Sequence, residues 1–244
     1  MKIALIGYGK MGKAIETIAL ERGHEIVAVF NSENPFKNNA TTLSKIESAD
    51  VAIEFTQPSL AIAHILTALE MNLPIVVGTT AWQKEGLQLV SEKMKANNGS
   101  LLHASNFSVG VNILFALNKK LASLMENQTD YSVEITEIHH TQKLDAPSGT
   151  AVSLAQDIIA NNSHYSQWEL NENQTIDEQT IPITALREPE VPGTHFVRYN
   201  SEIDTITLAH HAHNRKGFAL GSVIAAEFLK DKKGLFTMSD VLNL

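Results

Sequence analysis

The chain has 244 residues, a formal net charge of −8 at pH 7, 43% hydrophobic residues and 19% charged ones. That balance excludes a disordered chain and disfavours a general nucleic-acid binder, which carries a basic surface. With no cysteine, disulfides, zinc–thiolate sites and thiol nucleophiles are excluded.

Residues 2–6 are a short apolar run with strand character. A glycine-rich turn follows instead of a cleavage site, so the run does not read as a secretion signal. Residues 10–21 carry Met11, Ala14, Ile15, Ile18 and Ala19 at helical spacing. Residues 25–30 (EIVAVF) and 50–55 (DVAIEF) read as strands. Pro58 opens a helix with Leu60, Ile62, Ile65, Leu66 and Leu69 on its apolar face, since proline fits the first helical turn. A strand at 74–77, a helix at 82–96 and a strand at 100–104 complete the alternation. It predicts a parallel sheet with helices on both faces.

The second half has a different rhythm. A long apolar helix is expected at 109–125, an alternating strand at 131–138 and a helix at 148–160. The polar stretch 161–179, rich in Asn, Gln and Glu, reads as a surface loop. Strands at 180–186, 194–199 and 203–210 and a helix at 216–229 follow. The class is therefore α/β, a Rossmann-type parallel sheet with a second, α+β domain. No stretch approaches the roughly 18 apolar residues of a membrane span. The expectation is a cytoplasmic protein with no membrane or nucleic-acid partner.

Two segments carry chemistry. Gly7-Tyr8-Gly9-Lys10-Met11-Gly12 fits G-x-G-x-x-G between a strand and a helix, the setting in which the pattern reads as dinucleotide-binding. Gly7 permits the tight turn, Gly9 lets backbone approach a pyrophosphate, and Gly12 allows close helix–strand packing. The helix start adds free N–H groups, and Lys10 adds charge. The acid expected after the second strand for the ribose hydroxyls is replaced by neutral Asn31, with Glu33 two residues later and Lys37 beyond. This weakens a strict NADH preference and leaves NADH or NADPH as the cofactor.

The other segment runs from 137 to 150. His139 and His140 point to opposite sides if the strand continues, and histidine exchanges protons near neutral pH. Lys143 can donate a proton or hold a carboxylate. Ser148-Gly149-Thr150 opens a helix whose N–H groups and hydroxyls can receive an anion. The group suits a small anionic substrate that must be protonated. Neither histidine tract, 139–140 or 210–213, has a metal-site spacing, so no metal is expected.

His139-His140-x-x-Lys143-x-Asp145-Ala146-Pro147-Ser148-Gly149-Thr150 resembles the signature of the 4-hydroxy-tetrahydrodipicolinate reductases, also called dihydrodipicolinate reductases. Further matches are the glycine turn, Glu54-Phe55-Thr56 with Pro58, Gly78-Thr79-Thr80, residues 106–112 and Arg215-x-x-Phe218. The resemblance covers essentially the whole chain. It implies that His139 is the acid/base residue and Lys143 the proton donor. It implies that His140, Ser148, Gly149 and Thr150 meet a dicarboxylate substrate. It adds Gly78, Thr79, Thr80, Ser105, Asn106, Phe107 and Ser108 as cofactor contacts beside residues 7–12. It further implies a discontinuous dinucleotide-binding domain, 1–109 with 214–244, around a substrate-binding and oligomerisation domain, 110–213, in a homotetramer. Three departures stand out: Ala81 where the family has glycine, Ser105 where it has alanine, and Asn31.

Overall fold

The computed structural model describes residues 1–171, 177–214 and 216–244. Arg215 and part of the 161–179 stretch lie outside the described residues. The chain divides into two compact units, Met1–Val109 with Lys216–Leu244, and Gly110–Arg215.

The first unit holds six strands: β1 (Lys2–Ile6), β2 (Glu25–Phe30), β3 (Val51–Glu54), β4 (Ile75–Val77), β5 (Ser100–His103) and β11 (Gly234–Phe236). All pairings are parallel, in the order β11-β5-β4-β3-β1-β2. The strands are apolar at consecutive positions because both faces are covered. Ala4 and Ile6 pack with α3 (Pro58–Glu70) and α4 (Gln83–Ala96), while Ile3 and Leu5 pack with α1 (Lys10–Glu21) and α7 (Lys216–Leu229). Strand order reverses at β1, which sits between β2 and β3. In open parallel sheets, ligands bind beyond the carboxyl ends of the strands at such a reversal.

The second unit is a mixed sheet in the order β10-β9-β6-β8-β7. Its strands are β6 (Ser132–His139), β7 (Gln167–Leu170), β8 (Thr180–Arg187), β9 (Thr194–Asn200) and β10 (Thr205–His211). One face packs on α5 (Val109–Met125) and α6 (Gly149–Asn161) through Leu114, Ala122, Ile135, Leu154 and Val197. The Rossmann-type sheet and the second α+β unit expected from sequence are both present.

The stretch 161–179 is not simply a loop. Gln167–Leu170 forms β7, paired in parallel with β8 from Gln167↔Thr180 to Leu170↔Ile183. A strand with so few apolar residues leaves little local signal, and its pairing with β8 decides its state. Two further short helices, α2 (Ala40–Ile46) and α8 (Met238–Leu242), and the three-residue β11 also escaped the sequence reading.

Ala81 has φ +65°, the left-handed region that favours glycine. Replacing it with glycine removes that strain and adds some unfolded-chain entropy, for a net gain of about 0.5–1 kcal/mol. Ala81→Gly is expected to raise the thermal midpoint of unfolding. An unchanged or lower midpoint in a calorimetric scan would contradict that account of the strain.

Candidate active site

The glycine turn leaves β1 at the strand reversal. A Cβ on Gly7, which has φ +97°, would lie 2.1 Å from the carbonyl oxygen of Phe55, and one on Gly12 would lie 2.2 Å from that of Gly7. Only glycine allows these backbones to approach so closely. Gly9 faces open space and is the N-cap of α1, with no side-chain cap and no acid in the first helical turn. The positive end of α1 is thus left for an external anion, with Lys10 exposed and Met11 half-buried in the first turn.

A cavity of ≈ 740 Å³ opens beside the turn, lined in part by Gly7, Tyr8, Gly9, Asn31, Lys37 and Thr56. Asn31 follows β2, and its Oδ1 accepts from the backbone N–H groups of Glu33 and Asn34 at 3.0 and 2.9 Å. No acidic side chain is among the residues lining this cavity. Thr79 is buried and its Oγ1 accepts from the N–H of Thr56 at 2.9 Å, tying the loop after β4 to the loop after β3. A Cβ on Gly78 would meet the Phe55 ring, and Phe55 stacks at a tilt on buried Phe107, with ring centroids 5.7 Å apart. Ser108 donates its N–H to Asn106 Oδ1 at 2.9 Å. Thr80 and Ser105 are exposed. The sequence-expected residues of this unit therefore gather at the carboxyl ends of β1, β2, β4 and β5. The uncapped helix start, the glycine cradle and the cavity fit a dinucleotide.

The second constellation is built by strand register. Alternation on β6 turns Glu137 and His139 to the helix-covered face and leaves His140 half-buried beyond them. Glu137 lies opposite His195 on antiparallel β9, and His139 opposite Arg187 on parallel β8. Four polar residues are thus brought to one end of one face.

Glu137 is fully buried. Its carboxylate accepts the backbone N–H of Ser148, 3.1 Å from each oxygen. The Arg187 guanidinium stands 3.3 Å from Oε1. His139 Nδ1 stands 3.3 Å from Oε2, within ion-pair reach but off hydrogen-bond alignment. Burial alone would push the Glu137 carboxyl up, but His139 and Ser148 outweigh it and hold it down to about 2. His195 is pushed down to about 3, first by burial and then by repulsion from His139, so its ring is neutral near pH 7.

Ser148 caps α6. Its Oγ accepts from the N–H of Ala151 at 3.2 Å and lies 3.3 Å from His195 Nε2. Gly149 follows, exposed at the helix start, and Thr150 is half-buried. Lys143 sits on the connecting loop, its Nζ 2.7 Å from Asp145. That ammonium holds the Asp145 carboxyl below its usual range. Arg187 pins the same loop, donating to the carbonyl of Asp145 at 2.8 Å and to that of Lys143 at 3.4 Å. A cation could use the donors of Glu137, His139 and His195, which lie within 4.8 Å of one another. Arg187 already balances that carboxylate and would repel a second cation.

The family models decide the wider relationship. One described as "Dihydrodipicolinate reductase, N-terminus" matches residues 1–107, and one described as "Dihydrodipicolinate reductase, C-terminus" matches residues 110–242. The chain belongs to the dihydrodipicolinate reductase family. It is 49% identical over 243 residues to the 4-hydroxy-tetrahydrodipicolinate reductase of Christiangramia forsetii, covering 100% of this chain and 98% of that protein. It is 35% identical over 250 residues to the Staphylococcus haemolyticus reductase, covering 99% and 100%. Among solved structures, the dipicolinate-bound dihydrodipicolinate reductase of Paenisporosarcina sp. TG-14 superimposes with a TM-score of 0.76 at 28% identity, over 97% of each chain.

In this member of the reductase family, the sequence reading singled out His139, His140, Lys143 and Ser148–Thr150 but passed over Glu137, Arg187 and His195. Glu137 carried a signal, because position i−2 on a strand shares a face with His139. Arg187 and His195 carried none, since only strand pairing brings them in.

The two shifted groups set a pH dependence of stability. His195 is near 6.5 when unfolded and about 3 when folded. The unfolded chain therefore binds a proton that the folded one refuses, and stability falls as pH drops from about 6.5 toward 3. Glu137, depressed from 4.5 to about 2, contributes stability above pH 4.5 that is lost as pH falls through 2. Denaturant midpoints measured from pH 7 to pH 3 are expected to fall throughout, and His195→Gln should flatten the upper part of the slope. A midpoint that stays constant from pH 6.5 to 4.5 would refute the assignment for His195.

Proposed function

We propose that this chain reduces 4-hydroxy-tetrahydrodipicolinate to tetrahydrodipicolinate with NADH or NADPH, in the biosynthesis of lysine and diaminopimelate. Family membership across the whole chain carries this reading. It is supported by His139, Lys143 and the Ser148–Thr150 helix start, which bracket a single strand-to-helix connection in the second unit.

The first unit, 1–109 with the C-terminal segment, binds the dinucleotide. Gly7, Tyr8, Gly9, Lys10, Met11 and Gly12 take the pyrophosphate at the start of α1. Asn31 faces the ribose. A neutral residue there, with Lys37 on the same cavity, accommodates a 2′-phosphate without repulsion and still accepts a plain ribose. Gly78, Thr79 and Thr80 with Ser105, Asn106, Phe107 and Ser108 form the nicotinamide end of the site. The bound dinucleotide supplies the hydride.

The second unit binds substrate. The carboxylates of the dicarboxylate lie against the start of α6 at Gly149 and Thr150, with His140 beside them, while buried Ser148, whose N–H goes to Glu137, holds that helix start in place instead of meeting the substrate. These donors are held in place before substrate arrives, so they cost little reorganisation during reaction. The substrate loses its hydroxyl as water, accepts hydride at ring carbon four and takes a proton at the neighbouring carbon. The Lys143 ammonium, oriented by Asp145, donates that proton, and His139 assists the acid/base steps.

The protein works in the cytoplasm as a homotetramer, with neither nucleic acid nor membrane as a partner. Among the described residues no helix is long and apolar enough to cross a membrane. The face of the second sheet away from α5 and α6 is left for assembly, with Phe196 under the Arg198 guanidinium at 4.5 Å and Leu186 exposed. Light scattering that gave the mass of one chain would overturn the tetramer.

Turnover decides the chemistry. Substrate generated in place from pyruvate and aspartate semialdehyde by the preceding synthase should oxidise both NADH and NADPH. Lys143→Ala and His139→Ala should each lower kcat by about 100-fold or more while dinucleotide binding survives. Wild-type turnover in both variants would refute the assigned roles. No turnover with either dinucleotide, from folded protein, would refute the activity.

A further inference from the structure

Glu137 is a buried charge that the reaction above does not use. It lies on the same strand face as His139, two residues earlier, and is walled in by three other elements. The N–H of Ser148 comes from the start of α6, the guanidinium of Arg187 from β8, and the ring of His195 from β9, with Nε2 3.9 Å from Oε2. His139 Nδ1 is itself buried with no aligned hydrogen-bond partner among the described residues, and Glu137 Oε2 stands 3.3 Å from it. The opposite edge of the ring lies beside Gly193, where a Cβ would come within 3.1 Å of Nε2.

We infer that Glu137 is the positioning residue for His139: its carboxylate keeps a proton on Nδ1 and so leaves Nε2 as the ring atom that exchanges a proton with substrate.

The charge on Glu137 and the balance of donors and acceptors around it favour this. An ionised carboxylate only accepts, and a guanidinium and a backbone N–H only donate. Arg187 engages Oε1 and Ser148 both oxygens, so the side of Oε2 facing His139 remains an acceptor. A ring nitrogen 3.3 Å from a buried carboxylate oxygen is favoured with its proton on, since a bare lone pair there would be repelled even where the N–H lies off hydrogen-bond alignment, and the state of one nitrogen sets the role of the other. His195 does not compete for the role, since its Nε2 is shared with Ser148 Oγ at 3.3 Å. Gly193 completes the arrangement from the other side, because any larger residue would press on Nε2.

Glutamine at position 137 reverses the tautomer without changing the shape. Its single carbonyl is favoured at the Oε1 place, where Arg187 and the Ser148 N–H both donate, even though the NH₂ then faces the same Ser148 N–H from the Oε2 place. The amide NH₂ then occupies the Oε2 place and donates to Nδ1 of His139. Nδ1 becomes the acceptor and the proton moves to Nε2. The same exchange of carboxylate for amide beside a catalytic histidine fixes the wrong tautomer in serine proteases.

The tautomer stands on geometry alone, whereas its catalytic consequence rests on the proposed role of His139. The two are tested separately. Nitrogen chemical shifts of ¹⁵N-labelled histidine, recorded at pH 8 on the unaltered protein and assigned by difference with His139→Gln, should show His139 protonated on Nδ1. A proton on Nε2 in the unaltered protein would overturn the inference, and the only variant this reading needs is His139→Gln, which keeps Glu137 and its other donors in place. In Glu137→Gln the proton should appear on Nε2, and kcat should fall by about 100-fold with KM for the dinucleotide unchanged. A variant that kept the Nδ1 proton, or kept full kcat after the proton moved, would also overturn it. Glu137→Asp, which retains an acceptor, should recover part of the lost kcat, and no recovery would point to packing in place of positioning. Full turnover in His139→Ala would instead sink the role of His139 and leave the tautomer reading intact.

Discussion

The functional end of the second unit depends on one buried carboxylate. Taking such a charge out of water costs several kcal/mol unless donors replace the lost hydration. Glu137 finds them in a helix N–H, a guanidinium and an imidazole, drawn from α6, β8 and its own strand. Each donor is constrained in turn. Ser148 caps the helix that would receive the substrate, Arg187 holds the carbonyls of the Lys143–Asp145 loop, and His139 is pressed between Glu137 and Gly193. A helix start, a loop and the His139 ring are thereby referred to a single point. A fully satisfied polar group of this kind specifies one arrangement more sharply than an apolar contact would.

The two units use helix starts in different ways. At α1 the N-cap is Gly9, with no side chain to satisfy the first N–H groups and nothing crowding its Cα. Those groups remain for a phosphate. At α6 the N-cap is Ser148, whose hydroxyl takes the N–H of Ala151 while its own N–H goes to Glu137. An anion there would meet the helix start toward Gly149, whose Cα faces open space. The first helix start is uncapped and the second is capped by a side chain. Both carry the same partial charge of a helix N-terminus.

The alternation of strands and helices in the first hundred residues was legible because each element is long enough to show its period. Helices such as 58–70 carry a full apolar face, and the strands are continuous apolar runs. The short elements were not. Ala40–Ile46 buries only Thr42 and Ile46, too few to display a helical repeat. Gly234–Phe236 has three residues, and Gln167–Leu170 alternates exposed with half-buried positions, so both owe their strand state to pairing with β5 and β8. Ala81 adopts a backbone that its residue type disfavours, and nothing local predicts it.

The candidate site divides along the same line. Gly7–Gly12 and His139–Thr150 are contiguous, so their chemistry and spacing stand in the chain order itself. The turn, the histidine pair, the lysine and the helix cap can all be recognised there. Glu137, Arg187 and His195 become one cluster through contacts that span 50 positions of the chain, from Glu137 to Arg187, and 58, from Glu137 to His195. Those contacts come from the antiparallel register of β6 with β9 and its parallel register with β8. Side-chain type and periodicity act within a few residues, whereas register is set by the packing of whole strands, which no short stretch of sequence contains.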